Sequence, residues 1–495
     1  MLCGYSTPTM SFVLDAFSAF ADYWRWGAHV QQAWAAAHSG ADGIARLREQ
    51  RLRALLAHAH ANSRFYRRHH HARGAAADEL SGYAPVDKST LMAHFDDWVT
   101  DPRVRYDEVE RFVADPGRIG EPFLGRYAIW TSSGSTGRPG VFVHDEDALA
   151  IYDALLATRF PSGGTAVSPF QTLSSGGRFA MIAALGGHFA GVVSWERLRR
   201  EYPWMRAVTR SFSVLAPIRD LAAQLEDFQP SVLASYPTTL LLLARERQAG
   251  RLSLRPQALW SGGETLADAE RAEIAHAFGC PVIDGYGASE FLNIAYDCGH
   301  GSLHLNSDWV ILEPIDGNGR AVPAGERSAS VLLTNLANHV QPLIRYDLGD
   351  SIRFKPGPCG CGSCFPAIEV EGRRDDIVAF HDDDGAAVPM PPLALATVVE
   401  EGSGVHRFQL VQTAARTLTV RFEVPPGTDR DAAWRRIEAC LREYLGQQGL
   451  QRVRIRRDER LPQADPISGK LREVLGLRSA RREQGRAGAA ERDSP

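Results

Sequence analysis

Short β-type runs alternate with helical stretches along most of this chain, and this alternation limits its fold more than any other pattern. "SVLASYP" precedes the helix-like "TTLLLLARERQ", and "ALWSGGE" precedes "LADAERAEIAHAFG", which "PVIDGYG" follows. Alternating strands and helices are typical of parallel or mixed sheets with flanking helices. The later "RSASVLLTNL" and "LIRYDLGDSIRF" indicate a more β-rich portion. We therefore predict an α/β fold with mixed sheets.

The chain divides into a long body and a shorter C-terminal unit. Its 495 residues are enough for more than one domain. Apolar residues spaced by three and four predict helices within residues 11–75. After residue 372 the pattern restarts with "FQLVQ", "TLTVRFEV", a helical stretch and "VRIRR". We predict a large domain over 1–372, a small α+β domain over 373–478 and a disordered tail over 479–495.

Charge and cysteine usage exclude several classes of protein. The formal net charge of -4 gives no pull toward nucleic acid or membrane surfaces. No apolar run approaches the length of a membrane span, and Asp15 interrupts an N-terminal stretch without the basic start of a secretory signal. Seven cysteines, an odd number, argue against a disulfide framework. We expect a cytoplasmic protein with no nucleic-acid or membrane partner.

A glycine-rich segment, "TSSGSTGRPG" at residues 131–140, follows the strand-like "RYAIW". Glycines allow a tight turn with converging backbone N–H groups, and the hydroxyls add donors, so this loop suits phosphate. It lacks the GK[ST] ending of a Walker A loop. A flexible hairpin loop is the alternative interpretation.

Three further motifs offer groups for a nucleotide. In "VIDGYGASE", at residues 282–290, Tyr286 can present its face to a base, and Glu290 suits a Mg²⁺ that accompanies phosphate. A strand–turn–helix junction with capping Ser and Glu has the same letters. "IRYDLGD" ends in Asp350, and "EGRRDD" contains Arg373; both suit sugar hydroxyls or surface turns.

In order and content, "TSSGSTGRPG", "SGGE", "DGYGASE", "RYDLGD", "GRRDD" and "SGK" resemble the successive core motifs of the adenylate-forming superfamily of acyl- and aryl-CoA ligases, luciferases and adenylation domains. The branch they most resemble is the phenylacetate–CoA ligase-like enzymes, which are similar to coenzyme F390 synthetases. The motifs span residues 131–470. The resemblance implies that residues 1–372 form an AMP-binding domain and that residues 373–478 form a mobile lid.

The resemblance also implies roles for individual residues. The residues expected to hold the ATP phosphates are Ser133, Gly134, Ser135, Thr136 and Gly137. Those expected to bind adenine and the rest of AMP are Gly263, Glu264, Asp284, Gly285, Tyr286, Ser289, Asp350 and Arg373. Glu290 is expected to bind Mg²⁺, and Asp375 to be the hinge between domains. Where many relatives have lysine near the end of the phosphate loop, this chain has Arg138 and Gly140.

Lysine is scarce, which draws attention to Lys470 in "SGK". Only Lys88, Lys355 and Lys470 are lysines among 55 basic residues. The resemblance implies that Lys470 swings into the large domain's site and bridges the carboxylate and phosphate oxygens as the catalytic residue. The planar guanidinium of arginine does not replace a compact ammonium there. A solvated surface lysine is the alternative.

Cysteine and histidine cluster in "CGHGSLH" and "CGCGSC", and thiolates with imidazole in a group of four suit tetrahedral Zn²⁺. The C-x5-H and C-x-C spacing resembles a zinc site of some phenylacetate–CoA ligase-like proteins. The expected ligands are Cys298, His304, Cys359 and Cys361, with Cys364 and His300 as competitors. A set of inert buried thiols is the alternative.

Three functional hypotheses follow. The first is an AMP-forming acid–CoA ligase that uses ATP, Mg²⁺ and CoA on a small carboxylic acid. Tyr236, Pro237 and the stretch 171–191 fall where relatives build the acyl pocket, favouring an aryl or short apolar acid, although ordinary core packing gives the same letters. The second passes the acyl or AMP group to a carrier protein, an amine or another acceptor, since the aspartates at 382–384 suit CoA poorly. The third is a non-catalytic, zinc-stabilised nucleotide-binding protein.

Overall fold

The structure is a computed structural model that describes residues 25–71, 79–132, 139–159, 177–371, 376–425, 427–463 and 471–477. Its helices are α1 (25–37), α2 (Gly40–Asn62), α3 (Arg64–His71), α4 (Lys88–Ala93), α5 (Phe95–Trp98), α6 (Tyr106–Val113), α7 (Glu146–Arg159), α8 (Ala190–Glu201), α9 (Met205–Val208), α10 (Ile218–Phe228), α11 (Pro237–Gln248), α12 (Asp268–Phe278), α13 (Pro392–Ser403) and α14 (Arg430–Gln447). Short 3₁₀ turns lie at Leu80–Gly82 and Pro116–Arg118.

Strands form a large mixed sheet and four smaller sheets. They are β1 (Ala128–Thr131), β2 (Val141–His144), β3 (Phe179–Ala183), β4 (Thr209–Ser213), β5 (Val232–Ser235), β6 (Ala258–Gly262), β7 (Val282–Ala288), β8 (Phe291–Asp297), β9 (Leu303–Leu305), β10 (Val310–Ile315), β11 (Ser330–Asn335), β12 (Tyr346–Asp347), β13 (Ser351–Phe354), β14 (Ala367–Glu371), β15 (Val378–His381), β16 (Ala387–Met390), β17 (Arg407–Ala414), β18 (Thr417–Glu423), β19 (Arg454–Arg457) and β20 (Val474–Leu475).

The large sheet has the order β13-β14-β9-β8-β7-β6-β5-β3-β4. Strands β7, β6, β5, β3 and β4 run parallel, whereas β7, β8, β9, β14 and β13 pair antiparallel. Parallel neighbours need crossovers, and helices α8 to α12 lie in the segments that connect these strands. The predicted α/β class with mixed sheets is therefore confirmed. β7 is the strand at which the sheet changes direction.

One of the smaller sheets holds the two ends of the predicted phosphate loop. β1 and β2 pair antiparallel with Thr131 opposite Val141, which brings the two ends of the phosphate loop together. β10, β11 and β12 form an antiparallel sheet, β15 pairs with β16, and the C-terminal order is β19-β18-β17-β20. Every described strand pair stays on one side of residue 372. The domain boundaries themselves stay a prediction.

A buried charge network attaches the N-terminal helices to the body. The Arg159 guanidinium donates to both carboxylate oxygens of Asp308 at 2.7 Å, and both side chains are buried. Arg51 of α2 donates to the same carboxylate at 3.0 Å. The helices predicted before residue 75 are confirmed for residues 25–71. None of the helices in the described part of the chain is both long and apolar enough to cross a membrane.

Candidate nucleotide site and cysteine–histidine cluster

The β7–β8 hairpin and the segment before β13 meet at a short hydrogen bond. The Tyr286 hydroxyl donates to Asp350 Oδ2 at 2.7 Å, across 64 residues of sequence. Burial raises the pKa of Tyr286 well above its ordinary value, and the Asp350 charge adds to this effect. The structure thus joins the motifs expected to bind adenine and ribose. The residues after Glu290 form β8, so this motif is a hairpin and not a strand–turn–helix junction.

Glu290, the expected Mg²⁺ ligand, lies at the turn of this hairpin and is only 6% exposed. Burial raises its pKa to about 7, while the hydrogen bond from the Tyr346 hydroxyl and the charge of Lys88 act in the opposite direction. Asn335 Nδ2 donates to the Glu290 carbonyl at 2.8 Å and fixes the backbone. A buried carboxyl group with a near-neutral pKa binds a cation once it releases its proton.

Asp284 lies on β7 beside a second carboxylate. Arg271 Nη1 contacts Asp297 Oδ2 at 2.7 Å, and Arg271 Nη2 lies 3.7 Å from Asp284 Oδ2. The Asp284 backbone N–H donates to Asp297 at 3.1 Å. Burial raises the pKa of Asp284 to about 7, against the opposing charge of Arg271. This group therefore holds β7 against α12 and β8.

Both ends of the predicted phosphate loop are fixed. The Ser132 N–H donates to the Gly140 carbonyl at 2.9 Å, and the Gly140 N–H donates to Ser132 Oγ at 3.1 Å. Ser289 Oγ donates to the Thr131 carbonyl at 3.2 Å, so the hairpin turn lies at the start of the loop. The predictions for residues 133–137, Arg373, Asp375, Lys470 and the tail 479–495 lie outside the described residues.

The segment "SGGE" contacts the start of α11. Glu264 Oε2 accepts hydrogen bonds from Thr238 N at 3.1 Å and from Thr238 Oγ1 at 2.8 Å. Gly263 has a φ of 80°, and a Cβ there would come within 3.0 Å of the Tyr236 ring. Gly263, Tyr236 and Pro237 are therefore neighbours, and β6 places Gly262 opposite Gly285 of β7. The residues predicted for adenine and for the acyl pocket thus occupy adjacent strand ends.

The four predicted metal ligands also lie together. Each of Cys298, His304, Cys359 and Cys361 offers a ligand atom, and these atoms lie within 4.8 Å of one another. Cys298 Sγ is 3.9 Å from Cys359 Sγ, and Cys361 Sγ is 3.3 Å from His304 Nε2. Tetrahedral Zn²⁺ with its usual bond lengths implies ligand separations of about 3.6–3.8 Å. The donor set therefore fits zinc.

The surroundings of the cluster suit metal binding. His304 Nδ1 lies 2.6 Å from the Phe365 carbonyl, which leaves Nε2 facing Cys361. The backbone N–H of Cys361 is the main cause that lowers the pKa of Cys359 to about 6, and thiolates bind metal. Cys364 is exposed, and neither it nor His300 belongs to the cluster in the described residues.

Sequence reasoning missed two residues of the site. Tyr346 lies inside "RYDLGD", but nothing in the pattern indicated that its hydroxyl reaches Glu290. Arg271 lies in a helix whose charged residues resemble an ordinary solvated face. A basic residue as the fourth residue of a helix gives no signal of its partner. Their partners are known only from the fold.

No protein-family model matches the chain. The phenylacetate-coenzyme A ligase of Escherichia coli (strain K12) is 27% identical over 355 residues, which cover 69% of this chain and 73% of that protein. The enzyme of the same name from Aromatoleum evansii is 24% identical over 404 residues, which cover 78% and 82%. Protein CapK of Staphylococcus aureus is 31% identical over 136 residues, only 27% of this chain and 28% of CapK.

The fold is similar to that of a solved ligase. A 2-hydroxyisobutyryl-CoA ligase, in complex with 2-HIB-AMP and CoA in the thioesterification state, aligns with a TM-score of 0.54 and 21% identity. The alignment covers 90% of this chain and 92% of that one. The sequence relatives and the order of the six motifs support the phenylacetate–CoA ligase-like branch of the adenylate-forming superfamily, and the fold agrees with it.

Proposed function

We propose that this protein is an AMP-forming acid–CoA ligase. It activates a carboxylic acid with ATP, releases pyrophosphate, and transfers the acyl group from the acyl-adenylate to CoA. The carboxylate oxygen attacks the α-phosphorus and the bond to pyrophosphate breaks. This step needs alignment and charge neutralisation more than covalent participation by the protein.

The contact between Tyr286 and Asp350 carries this proposal. It joins the residue expected to stack on adenine to the carboxylate expected on the ribose, at 2.7 Å. Glu290 lies four residues beyond Tyr286 and faces Tyr346. The residues expected to bind base, sugar and metal therefore lie around one hairpin, which supports the proposal. Mg²⁺ bound by Glu290 would neutralise phosphate charge.

CoA is the favoured acceptor because the acidic turn after β15 is engaged locally. Asp382 Oδ1 accepts from the Ala386 N–H at 2.7 Å, and Asp383 lies 3.0 Å from Arg452 Nε. Those contacts reduce the repulsion that three consecutive aspartates would otherwise exert on a polyanionic thiol. The named activities of the relatives support the same acceptor. A carrier protein or an amine is the second candidate.

We propose an aryl or short apolar acid as the substrate. The Tyr236 ring lies against Gly263, and the Tyr236 hydroxyl accepts from the Ala184 N–H at 3.4 Å. Burial raises the pKa of Tyr236 to about 12, so its hydroxyl stays neutral. An apolar ring with a neutral hydroxyl favours an uncharged acyl group over a charged one.

We also propose that Cys298, His304, Cys359 and Cys361 bind a structural Zn²⁺. Four protein ligands leave no open position for catalysis. Cys298 directly follows Asp297, which accepts from the Asp284 backbone. A metal there would hold the end of β8 and, through Asp297, the nucleotide-binding strand β7.

Two linked assays test the function. Pyrophosphate exchange into ATP, measured with a panel of aryl, short aliphatic and fatty acids, reports adenylate formation and the class of acid. Adding CoA and measuring the thioester then tests the acceptor. We expect exchange with at least one aryl or short apolar acid, and a thioester with that acid. Exchange without a thioester would support the alternative acceptors, and no exchange would support a non-catalytic protein.

A further inference from the structure

His144 is a buried histidine that contacts the turn of the β7–β8 hairpin. It is the last residue of β2 and is fully buried, and the sequence motifs assign it no role. Its Nε2 lies 3.1 Å from the Ser289 carbonyl oxygen, which can only accept a hydrogen bond. Nε2 therefore carries a proton and donates a hydrogen bond to the peptide that joins Ser289 to Glu290.

The other ring nitrogen shows that this histidine is neutral. Nδ1 lies 3.4 Å from Asn338 Nδ2, an amide nitrogen that only donates. The orientation of this amide is fixed, because its nitrogen also donates to the Val143 carbonyl at 2.7 Å and its oxygen accepts from the Gln341 N–H at 3.3 Å. Nδ1 is therefore an acceptor. Burial lowers the pKa of His144 to about 3, which agrees with a neutral imidazole whose proton is on Nε2.

Tyr152 of α7 joins His144 to a second hydrogen bond on the same turn. The Tyr152 hydroxyl lies 3.3 Å from His144 Nδ1, to which it donates, and it accepts from Asn335 Nδ2 at 2.9 Å. The same amide nitrogen of Asn335 donates to the Glu290 carbonyl at 2.8 Å. The hydrogen bonds therefore form one continuous chain that begins at the Glu290 carbonyl and ends at the Ser289 carbonyl.

This chain of hydrogen bonds is enclosed by the body of the protein. His144, Tyr152 and Asn335 are each at most 1% exposed and lie on β2, α7 and β11. Asn335 Oδ1 accepts from the Ala337 N–H at 2.8 Å, so its amide cannot turn over without losing a bond. A broken bond in a buried network leaves an unpaired polar group, which is costly, so one arrangement is favoured. The carbonyls on both sides of the Glu290 α-carbon are thereby fixed.

We propose that His144 is a positioning residue for Glu290, the expected Mg²⁺ ligand. Through this chain of hydrogen bonds it fixes the peptides around Glu290 and so sets the direction in which the carboxylate side chain leaves the backbone. A carboxylate that is already oriented binds a cation at a lower ordering cost. The inference rests on the proposed function. A histidine that only packed against Trp130, whose ring centroid is 3.8 Å away, would have no effect specific to Mg²⁺.

The test measures how much Mg²⁺ strengthens ATP binding in the full-length protein. Calorimetry gives dissociation constants for ATP with Mg²⁺ and in a metal-depleted buffer, without acid, so that no turnover occurs. No chelator is added, which leaves the proposed zinc site undisturbed. The ratio of the constant without Mg²⁺ to the constant with Mg²⁺ is the Mg²⁺ effect.

His144→Phe keeps an aromatic ring against Trp130 and removes the donor to Ser289. We expect the Mg²⁺ effect to fall about fivefold in this variant, the effect of one hydrogen bond. In His144→Gln the side-chain amide nitrogen reaches the position of Nε2, so the Mg²⁺ effect should return to within about twofold of the wild type. His144→Asn, whose amide is too short to reach Ser289, replaces His144→Phe if that variant does not fold.

Trp98→Phe is the matched control. Trp98 is fully buried, and its Nε1 donates to the Pro342 carbonyl at 2.5 Å, so this variant also removes a ring N–H from a backbone carbonyl. It should lower the unfolding temperature and leave the Mg²⁺ effect unchanged. Unfolding temperatures of all variants without nucleotide therefore separate a loss of stability from a loss of positioning.

An unchanged Mg²⁺ effect in His144→Phe, or no recovery in His144→Gln, would overturn the inference alone. A wild-type chain that binds ATP equally well with and without Mg²⁺ would overturn it together with the role proposed for Glu290. A wild-type chain that binds no ATP would overturn the proposed function as well.

Discussion

Two tyrosine hydroxyls donate to two carboxylates in the proposed nucleotide site, Tyr286 to Asp350 and Tyr346 to Glu290. At the residue scale these pairs set the positions of the groups that we expect to contact the ligand. Burial raises the pKa of both tyrosines, so both hydroxyls stay neutral and donate hydrogen bonds. The carboxylates are thereby aligned before any nucleotide or metal arrives, which lowers the ordering cost of binding.

Replacing Tyr286 with Phe removes one of these donors and leaves the ring. Hydrogen bonds to charged groups contribute about 1.5–3 kcal/mol, so we expect the KM for ATP in pyrophosphate exchange to rise on the order of tenfold. The KM for the acid should change little. Tyr444→Phe is the matched control, since the buried Tyr444 hydroxyl has no hydrogen-bond partner among the residues that the structure describes. A similar rise in both KM values would contradict the assigned role.

The pKa of Glu290 predicts a pH-dependent stability. Its value rises from 4.5 to about 7, so the folded protein holds a proton that the unfolded chain releases between these values. The stabilising effect of that proton is complete below about pH 4.5 and disappears as the pH rises through 7. At about 1.4 kcal/mol for each unit of pKa shift, this proton contributes on the order of 3 kcal/mol to the free energy of unfolding.

The side chain at position 290 cannot titrate in the Glu290→Gln variant. The free energy of unfolding of the variant, relative to that of the wild type, should therefore rise by about 2–3 kcal/mol from pH 5 to pH 8. Asp284 titrates in both proteins and cancels in the difference. Denaturant unfolding at the two pH values without nucleotide measures this gain. An equal difference at both pH values would show that Glu290 does not titrate in this range.

Sequence motifs predicted which residues lie together where they implied a shared ligand, and the roles of those residues stay a prediction. Tyr286 and Asp350 were both expected at one nucleotide, and they are in contact. Tyr346 and Arg271 had no such signal, because their partners lie tens of residues away and depend on the β12 and α12 packing. Side-chain partners of this kind follow from tertiary structure and not from local spacing.

At the scale of elements, the β7–β8 hairpin requires glycine at position 287. A Cβ on Gly287 would overlap the Leu292 carbonyl oxygen on the facing strand. We expect Gly287→Ala to lower the free energy of unfolding by several kcal/mol, on the order of other backbone-straining changes, and to weaken ATP binding. Gly446→Ala in α14 is the control, since its Cβ would meet open space and alanine favours helices.

Denaturant unfolding and ATP titration of both glycine variants test this requirement. Equal stability of Gly287→Ala and the wild type would show that the hairpin tolerates a side chain. Gly446→Ala should be neutral or stabilising by up to about 1 kcal/mol.

Strand pairing brings the two cysteine segments together, because β14 pairs with β9 and places Ala367 opposite His304. We expect elemental analysis to find one zinc for each chain. Cys361→Ser should lose zinc and unfold at lower temperature, since a ligand is removed. Cys364 is exposed and lies three residues beyond Cys361, so Cys364→Ser should retain both the zinc and the unfolding temperature. Purified protein without zinc, or equal loss in both variants, would refute the site.

Elements were predictable where periodicity was strong. The strands and helices expected from "SVLASYP" to "PVIDGYG" and from "FQLVQ" to "VRIRR" are present. The turn after Tyr286 was ambiguous, since a serine and a glutamate serve a helix cap and a hairpin turn equally well. The antiparallel pairing of β7 with β8 shows that this turn belongs to a hairpin. The letters of the turn alone do not encode that pairing.

At the scale of the whole molecule, the C-terminal unit packs against the parallel half of the large sheet. One continuous hydrophobic core contains Leu221 and Leu259 from the body and Phe408 and Leu441 from the C-terminal unit. Gln448 Nε2 of this unit donates to the Leu215 carbonyl at 2.9 Å. The predicted hinge and lysine, Asp375 and Lys470, belong to this unit by sequence, and the roles that we propose for them would require its movement relative to the body.

The central claim is that this chain forms an acyl-adenylate with Lys470 as the catalytic ammonium. Acid-dependent pyrophosphate exchange in the wild type and in Lys470→Arg tests it most directly, with ATP binding measured in both. We expect exchange with an aryl or short apolar acid in the wild type and none in the variant. The ATP affinities should agree within about threefold, since arginine keeps the charge but not the geometry. Full exchange in Lys470→Arg, or no exchange with any acid in the wild type, would contradict it.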